Sequence, residues 1–298
     1  MKQLFKISIA IVMVLTLVSS CRKDENGSLD TPPLGLGGDT WEKNNLDKWI
    51  YDSLTTPFNI AVKYRWDAWE LELDKTLVPP DTAKVIPSLK GLLAVAFTPY
   101  IQQTGSRELL RRYAPKNFVL VGSPQYNYNG SITLGQAEGG TKITLYLINY
   151  FSRLKKDSAS FKQMVHTIHH ELGHILHQNV SFSTNYKNIT PGLYTATWFN
   201  ISDANARAQG FITAYAMAAP EEDFVEMISS MLVGGPNGPT GYDNYEKLLT
   251  QAGVATSTPY LNIKAKEAIV VDYFAKTWNI DFYGLQTKCR AALGGYLQ

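Results

Sequence analysis

All five histidines of this chain fall in one short stretch, "FKQMVHTIHHELGHILHQ", residues 161–178. Within it, "HELGH" places His170 and His174 at i and i+4, one turn apart on the same face of a helix. From there two imidazole nitrogens can reach a single zinc ion. Glu171 stands about 100° around the helix from His170, close enough to serve the metal's surroundings without binding it. That is where a general base for a water molecule belongs. The pair His166 and His170 has the same i, i+4 spacing but no following Glu, so it is the weaker catalytic pair. His166, His169 and His177 read as supporting or surface residues.

On a helical wheel with His170 at zero, His166, His174 and His177 fall within about 40° of it. Phe161, Val165, Ile168, Leu172, Ile175 and Leu176 fall between about 140° and 240°. The spacing therefore predicts a helix over 158–178 with two opposite stripes. The apolar stripe should face a sheet and the imidazole stripe a cleft.

A catalytic zinc site takes three protein ligands and leaves one position open. An HExxHxxGxxH arrangement is excluded, because His177 stands where that pattern needs Gly and Val180 where it needs His. A carboxylate from a later helix is the other solution. "AYAMAAPEEDFVEMISSML", residues 214–232, supplies it: Pro220 suits a first helical turn, and acids follow. With Glu222 at zero on the wheel, Glu226 falls at about 40° and Asp223 at about 100°, close to the apolar stripe. Glu221 falls on the other side, facing solvent or the helix start. Glu222, Asp223 and Glu226 compete for the ligand position, with Glu222 and Glu226 sharing one face.

The elements that must position these groups follow from pattern. Asp39 with Glu42 makes a capping box for a helix through "WEKNNLDKWIYDSL". "FNIAVKYRW" reads as a strand, and "DTAKVIPSLKGLLAVAFTPYIQQ" as a helix with Pro87 in its first turns or at a kink. "NFVLVG", "SITLG" and "TKITLYLIN" are β-rich runs. After them come helices over 158–178, 202–210, 220–233, 242–251, 259–277 and 281–293. Strands early and helices late make an α+β domain over 41–298, with a mixed lobe over 41–157 and a helical lobe over 158–298.

The N-terminus is a separate matter. Lys2 and Lys6 precede the apolar run "ISIAIVMVLTLV", which is too short to span a bilayer, and Ser19, Ser20 and Cys21 follow. Residues 1–20 read as a secretory signal peptide, and "LVSSC" as a lipidation site that makes Cys21 the acylated mature N-terminus. Residues 21–40, rich in Gly and Pro, read as a tether. The remaining cysteine, Cys289, then has no partner and reads as a packed residue. Basic and acidic residues balance once the leader is gone. No long basic run remains, which argues against nucleic acid.

"HELGH" with "EEDFVE" beginning 47 residues after His174 resembles the gluzincin group of zinc metallopeptidases, and "EDFVE" resembles the ligand helix of lethal-factor-like peptidases. The resemblance implies a zincin-like fold, Zn2+ held by His170, His174 and Glu222, and Glu226 supporting a ligand histidine. It also implies Tyr215, seven residues before Glu222, as an oxyanion donor. With the lipidation site, "YRWD" (64–67) and "LGQAEGG" (134–140), nearly the whole chain resembles zinc metallohydrolase lipoproteins of Bacteroidetes associated with SusC/SusD-type import systems. That implies an outer-membrane lipoprotein of the cell envelope, facing the periplasm or the surface, acting on peptide or protein. The competing expectation is a non-catalytic binding accessory of an importer with a structural or vestigial zinc. Glu171 separates the two, because a structural site has no use for it.

Overall fold

The structure, a computed structural model, describes residues 42–298 apart from 73, 129–131, 134, 139–141 and 238–240. The leader, Cys21, the tether and Asp39 lie outside these residues. The first helix starts later than the sequence pattern indicates, from a capping box made by Asn44 and Asp47 rather than Asp39 and Glu42. Asn44 Oδ1 accepts from the Asp47 amide at 2.9 Å, and Asp47 returns the bond at 3.0 Å. This helix, α1 (Asn45–Ile50), continues through a π turn to Phe58, where Asn59 adopts a left-handed conformation with φ 56. Asn tolerates that conformation and ends the helix. The strand expected from residue 58 therefore shrinks to β1 (Ala61–Lys63).

Next, α2 (Thr82–Leu92) and α3 (Thr98–Thr104) form one rod joined by a π turn, with Pro87 inside α2. After α4 (Glu108–Tyr113) comes β2 (Asn117–Leu120). A small hairpin pairs β3 (Gln125–Tyr126) with β4 (Ile132–Thr133), and β5 (Gly135–Glu138) leads to β6 (Lys142–Leu145). The main sheet has the order β1-β2-β6-β5. Its first three strands are parallel, with Phe118 opposite Val62 and Ile143, and β5 runs antiparallel to β6. Phe118, Ile143 and Leu145 are fully buried, as a covered parallel sheet requires.

From residue 159 onward helices predominate. α5 (Ala159–Asn179) carries the histidines, α6 (Asp203–Arg207) is short, and α7 (Pro220–Val233) carries the acids. α6 stops well before residue 210. α8 (Tyr245–Thr250) starts after the expected position 242, because Tyr242 belongs to β8 (Gly241–Asp243), paired with β7 (Gly235–Asn237), and Asn244 caps the helix. α9 (Thr258–Trp278) and α10 (Phe282–Tyr296) complete the chain. Together these elements make the expected α+β architecture. α10 turns back onto the early helices: Lys288 Nζ donates to Gln103, and the Tyr296 ring meets Phe161 of α5 at 5.3 Å. Among the described residues no helix is long and apolar enough to cross a membrane.

The two-striped picture of α5 needs correction. Its apolar side does pack inside the fold, with Phe161 edge-on to Phe151 at 5.3 Å. Its imidazole side, however, is covered by α7 rather than opening wholly to a cleft. His166, His169, His170 and His177 are all buried. The helices approach closely at Gly173, where a Cβ would stand 3.0 Å from Val225 Cγ1 and 3.3 Å from Ile228 Cδ1. A side chain larger than a methyl there would push α7, and its carboxylates, away from the histidines.

On its other side α7 is fixed to α9. Asp223 and Lys266, both fully buried, form an ion pair at 2.6 Å. The Tyr194 hydroxyl also donates to Asp223 at 3.0 Å, and Lys266 donates to the Gly210 carbonyl at 2.8 Å. Breaking such a pair from one side leaves an uncompensated charge in the core, at a cost of about 3–5 kcal/mol. Lys266→Met is expected to lose about that much in urea unfolding, and Asp223→Asn with Lys266→Met to recover most of it. A single variant as stable as the parent would show that the pair holds nothing together.

Candidate metal centre

α7 begins with Pro220 and has Glu221, Glu222 and Asp223 in its first turn, where carboxylates complement the helix dipole. Because α7 lies across α5, Glu222 reaches the two histidines of "HELGH". Three distances define the cluster. His170 Nε2 and His174 Nε2 are 3.2 Å apart, and Glu222 Oε2 is 3.2 Å from each.

These atoms fit a zinc ion. A tetrahedron with bonds of about 2.0–2.1 Å has edges of about 3.3–3.4 Å, close to all three separations. The proton positions, assigned from the partners, point the same way. His170 Nδ1 lies 2.8 Å from Glu226 Oε1, a carboxylate that can only accept, so Nδ1 carries the hydrogen. In the neutral ring Nε2 then presents a lone pair to another carboxylate and another imidazole. That convergence of lone pairs calls for a cation between them. The site's own acid–base balance expresses the same demand. Burial pulls the His170 pKa down, but Glu222 and Glu226 outweigh it and raise it to about 10. Burial also works against the Glu222 carboxylate, yet the two histidines hold it well below the usual range.

Behind His170 and Glu222 stands Glu226, one turn further along α7 and surrounded by polar partners. Its Oε1 receives His170 Nδ1 at 2.8 Å and His166 Nε2 at 3.0 Å, and its Oε2 receives the Thr213 hydroxyl at 2.7 Å. His166 is anchored in turn by Nδ1, which donates to the Gly234 carbonyl at 3.0 Å. Gly234 ends α7 with φ 99, and a Cβ there would stand 2.2 Å from the Asp243 carbonyl oxygen, so only glycine fits. His166, His170 and Glu226 could be read as a second metal cluster. The 2.8 Å and 3.0 Å separations are hydrogen bonds that fix the tautomer of His170, and the shorter is well below a zinc tetrahedron's edge.

Glu171 is buried beside the cluster. Burial raises its pKa, with Glu222 and Glu226 adding to the rise and the two histidines opposing it. Tyr215 is partly exposed. Its ring stacks on the His170 ring at 5.8 Å, and its hydroxyl hydrogen-bonds Glu222. Trp198 closes edge-on against Tyr215 at 4.9 Å, and Phe199, exposed, follows it.

The structure thus brings His170, His174, Glu222, Glu171, Glu226 and Tyr215 into one cluster. Asp223 is turned away into its pair with Lys266, and Glu221 is exposed. His169 proves to be neither a surface residue nor part of the cluster. It is fully buried, accepts or donates at Nδ1 to the Tyr100 hydroxyl at 3.2 Å, and burial lowers its pKa to about 3. Cys289 is free and buried, as packing predicts. Thr213 and Trp198 were not visible as site residues, since neither stands at a helical spacing from a motif.

Residues 39–283 match the family described as "Putative zinc-binding metallo-peptidase". The crystal structure of a protein of the same description from Bacteroides caccae is similar, with 31% identity over 84% of this chain and 92% of that one and a TM-score of 0.66. No curated protein matches. The match spans most of the chain, and the chain belongs to this family of zinc-binding metallopeptidases.

Proposed function

We propose that the protein is a zinc-dependent peptidase that hydrolyses peptide bonds, with His170, His174 and Glu222 as the metal ligands. The observation that carries this reading is the triangle of three ligand atoms, each pair 3.2 Å apart, with the Glu171 carboxylate buried beside it. Among the described residues no fourth protein ligand joins the three, which favours catalysis over a closed structural site.

Bound zinc supplies a Lewis acid that polarises a carbonyl and acidifies a water. The chain's residues do the rest. Glu171, made more basic by burial, takes the proton of the attacking water and returns it to the departing amine. Tyr215, beside Glu222, offers a hydroxyl to the oxyanion of the tetrahedral intermediate. Glu226 keeps the His170 lone pair aimed outward. An extended substrate has a place to lie: β5 ends the sheet, pairs with no other strand on its outer edge among the described residues, and runs beside α5. Main-chain hydrogen bonds to such an edge hold peptides without regard to sequence.

Glu171→Gln should retain stoichiometric zinc and lose hydrolysis of a casein or peptide-library substrate. Cleavage near the parent rate would remove Glu171 from the mechanism. Tyr215→Phe should lose about 10²-fold in kcat, the scale of one oxyanion donor. An unchanged kcat would make Tyr215 a packing residue.

The location is part of the same proposal: an envelope lipoprotein anchored through Cys21, acting on peptides at the outer membrane and partnered with a SusC/SusD-type importer. "LVSSC" after the apolar leader supports it. Mass spectrometry of the protein from its native membrane should find acylated Cys21 as the first residue. An intact Met1 would defeat the anchoring.

A further inference from the structure

The two ligand histidines are held from behind in different ways. His170 is backed by a carboxylate, Glu226. His174 is backed by another imidazole: its Nδ1 lies 3.0 Å from His177 Nε2. Metal-binding histidines ordinarily donate to a carboxylate, a backbone carbonyl or water, so the second arrangement is unusual. We infer that His177 is the positioning residue for His174, accepting its Nδ1–H so that the Nε2 lone pair points at the metal. This rests on the ligand assignment proposed above.

The argument begins with proton counting. For His174 Nε2 to join Glu222 Oε2 and His170 Nε2 around a cation, it must be unprotonated. Its hydrogen is then on Nδ1, and the partner at 3.0 Å must accept. His177 Nε2 can accept only if that ring carries its own hydrogen on Nδ1. Both rings are thereby fixed in one tautomer by one bond.

His177 is equipped to hold still. It lies three residues after His174 on α5 and is buried. Its ring meets Phe182 edge-on at 5.5 Å and Phe224 edge-on at 6.3 Å. Those two phenylalanines stack on each other at 4.1 Å. Phe182 comes from the segment just after α5, and Phe224 from α7, two residues beyond Glu222. The clamp therefore ties the orientation of His174 to the helix that delivers the carboxylate ligand.

The chemistry of the acceptor also matters. A carboxylate behind a ligand imidazole makes that imidazole more basic. A neutral imidazole does so less. His174 is accordingly a weaker donor to the metal than His170, and the ion it helps to hold keeps more of its Lewis acidity. Replacing His177 by a carboxylate should tighten metal binding, and removing the acceptor should loosen it.

The test uses purified protein, zinc competed against a chromogenic chelator, cobalt-substituted protein for visible absorption, and thermal unfolding of the metal-free forms. His177→Phe keeps an aromatic ring between Phe182 and Phe224 but has no acceptor. It should unfold close to the parent when metal-free, bind zinc about 10–100-fold more weakly, and show altered cobalt bands. His177→Gln restores an acceptor near the Nε2 position and should recover most of the affinity. His177→Glu should bind zinc at least as tightly as the parent. A His177→Phe variant that binds zinc like the parent overturns the inference and leaves the ligand assignment standing. So does a His177→Gln variant as weak as His177→Phe, which would make the ring's packing the cause. A parent protein that binds no zinc takes down both the ligand assignment and this inference.

Discussion

One buried carboxylate organises the centre of this molecule. Glu226 is buried and accepts from His166, His170 and Thr213, so that both its oxygens face donors. An ionised group in the core is tolerable only when so enclosed. Burial alone would favour its neutral form, yet the two histidines hold its pKa well below the ordinary carboxylate range. The consequences run outward. Because Glu226 must reach His166 and His170, four residues apart on the same stripe of α5, α7 has to lie directly against that stripe. That close approach is what Gly173 permits. With α7 placed there, Glu222, one turn earlier, arrives beside His170 and His174 without further adjustment.

Much of this was written locally in the sequence. The spacing of His166, His170 and His174, and of Glu222 and Glu226, expresses a helical face, and a face is a property of neighbouring residues. The bounds of α7 at Pro220 and Val233 and the shared side of Glu222 and Glu226 were legible for that reason. Residues whose meaning depends on distant partners were not. The wheel brings Asp223 close to the apolar stripe of α7, but nothing in the sequence pairs it with Lys266 in another helix. His169 sits off the imidazole stripe, and only the fold reveals Tyr100 waiting for it in the core. The β-rich run from residue 58 does not reveal that Asn59 ends a helix in a left-handed conformation. Asp39 with Glu42 has the capping-box pattern, but Asn44 with Asp47 offers the same chemistry five residues later, and the helix starts there.

The imidazole stripe also shows where pattern and environment diverge. Polar residues on one helix face ordinarily signal exposure to solvent. Here the same pattern marks a buried network, because a second helix brings groups able to satisfy it. What distinguishes the cases is the partner segment. "EEDFVE" has acids at the same i, i+4 spacing as the histidines, so the two helices are complementary in both chemistry and pitch.

α7 is thus held from two sides by interactions of different character. Toward α5 it presents Glu222 and Glu226 to imidazoles, and toward α9 it presents Asp223 to Lys266. Tyr194 donates to Asp223 as well, and Tyr186 donates to the Asp223 carbonyl at 3.0 Å, so the segment between α5 and α7 is fastened to the same turn. Adjacent residues with side chains held by different helices leave the first turn of α7 little freedom to shift or rotate. A carboxylate on so constrained a turn is preorganised: little conformational entropy would remain to be lost if it bound a cation. Tyr215 belongs to the same connecting segment, and its ring rests on His170. Fixing α7 therefore also fixes the wall that carries the Tyr215 hydroxyl, so Tyr215 and the Glu222 carboxylate it hydrogen-bonds are placed by one set of buried charges.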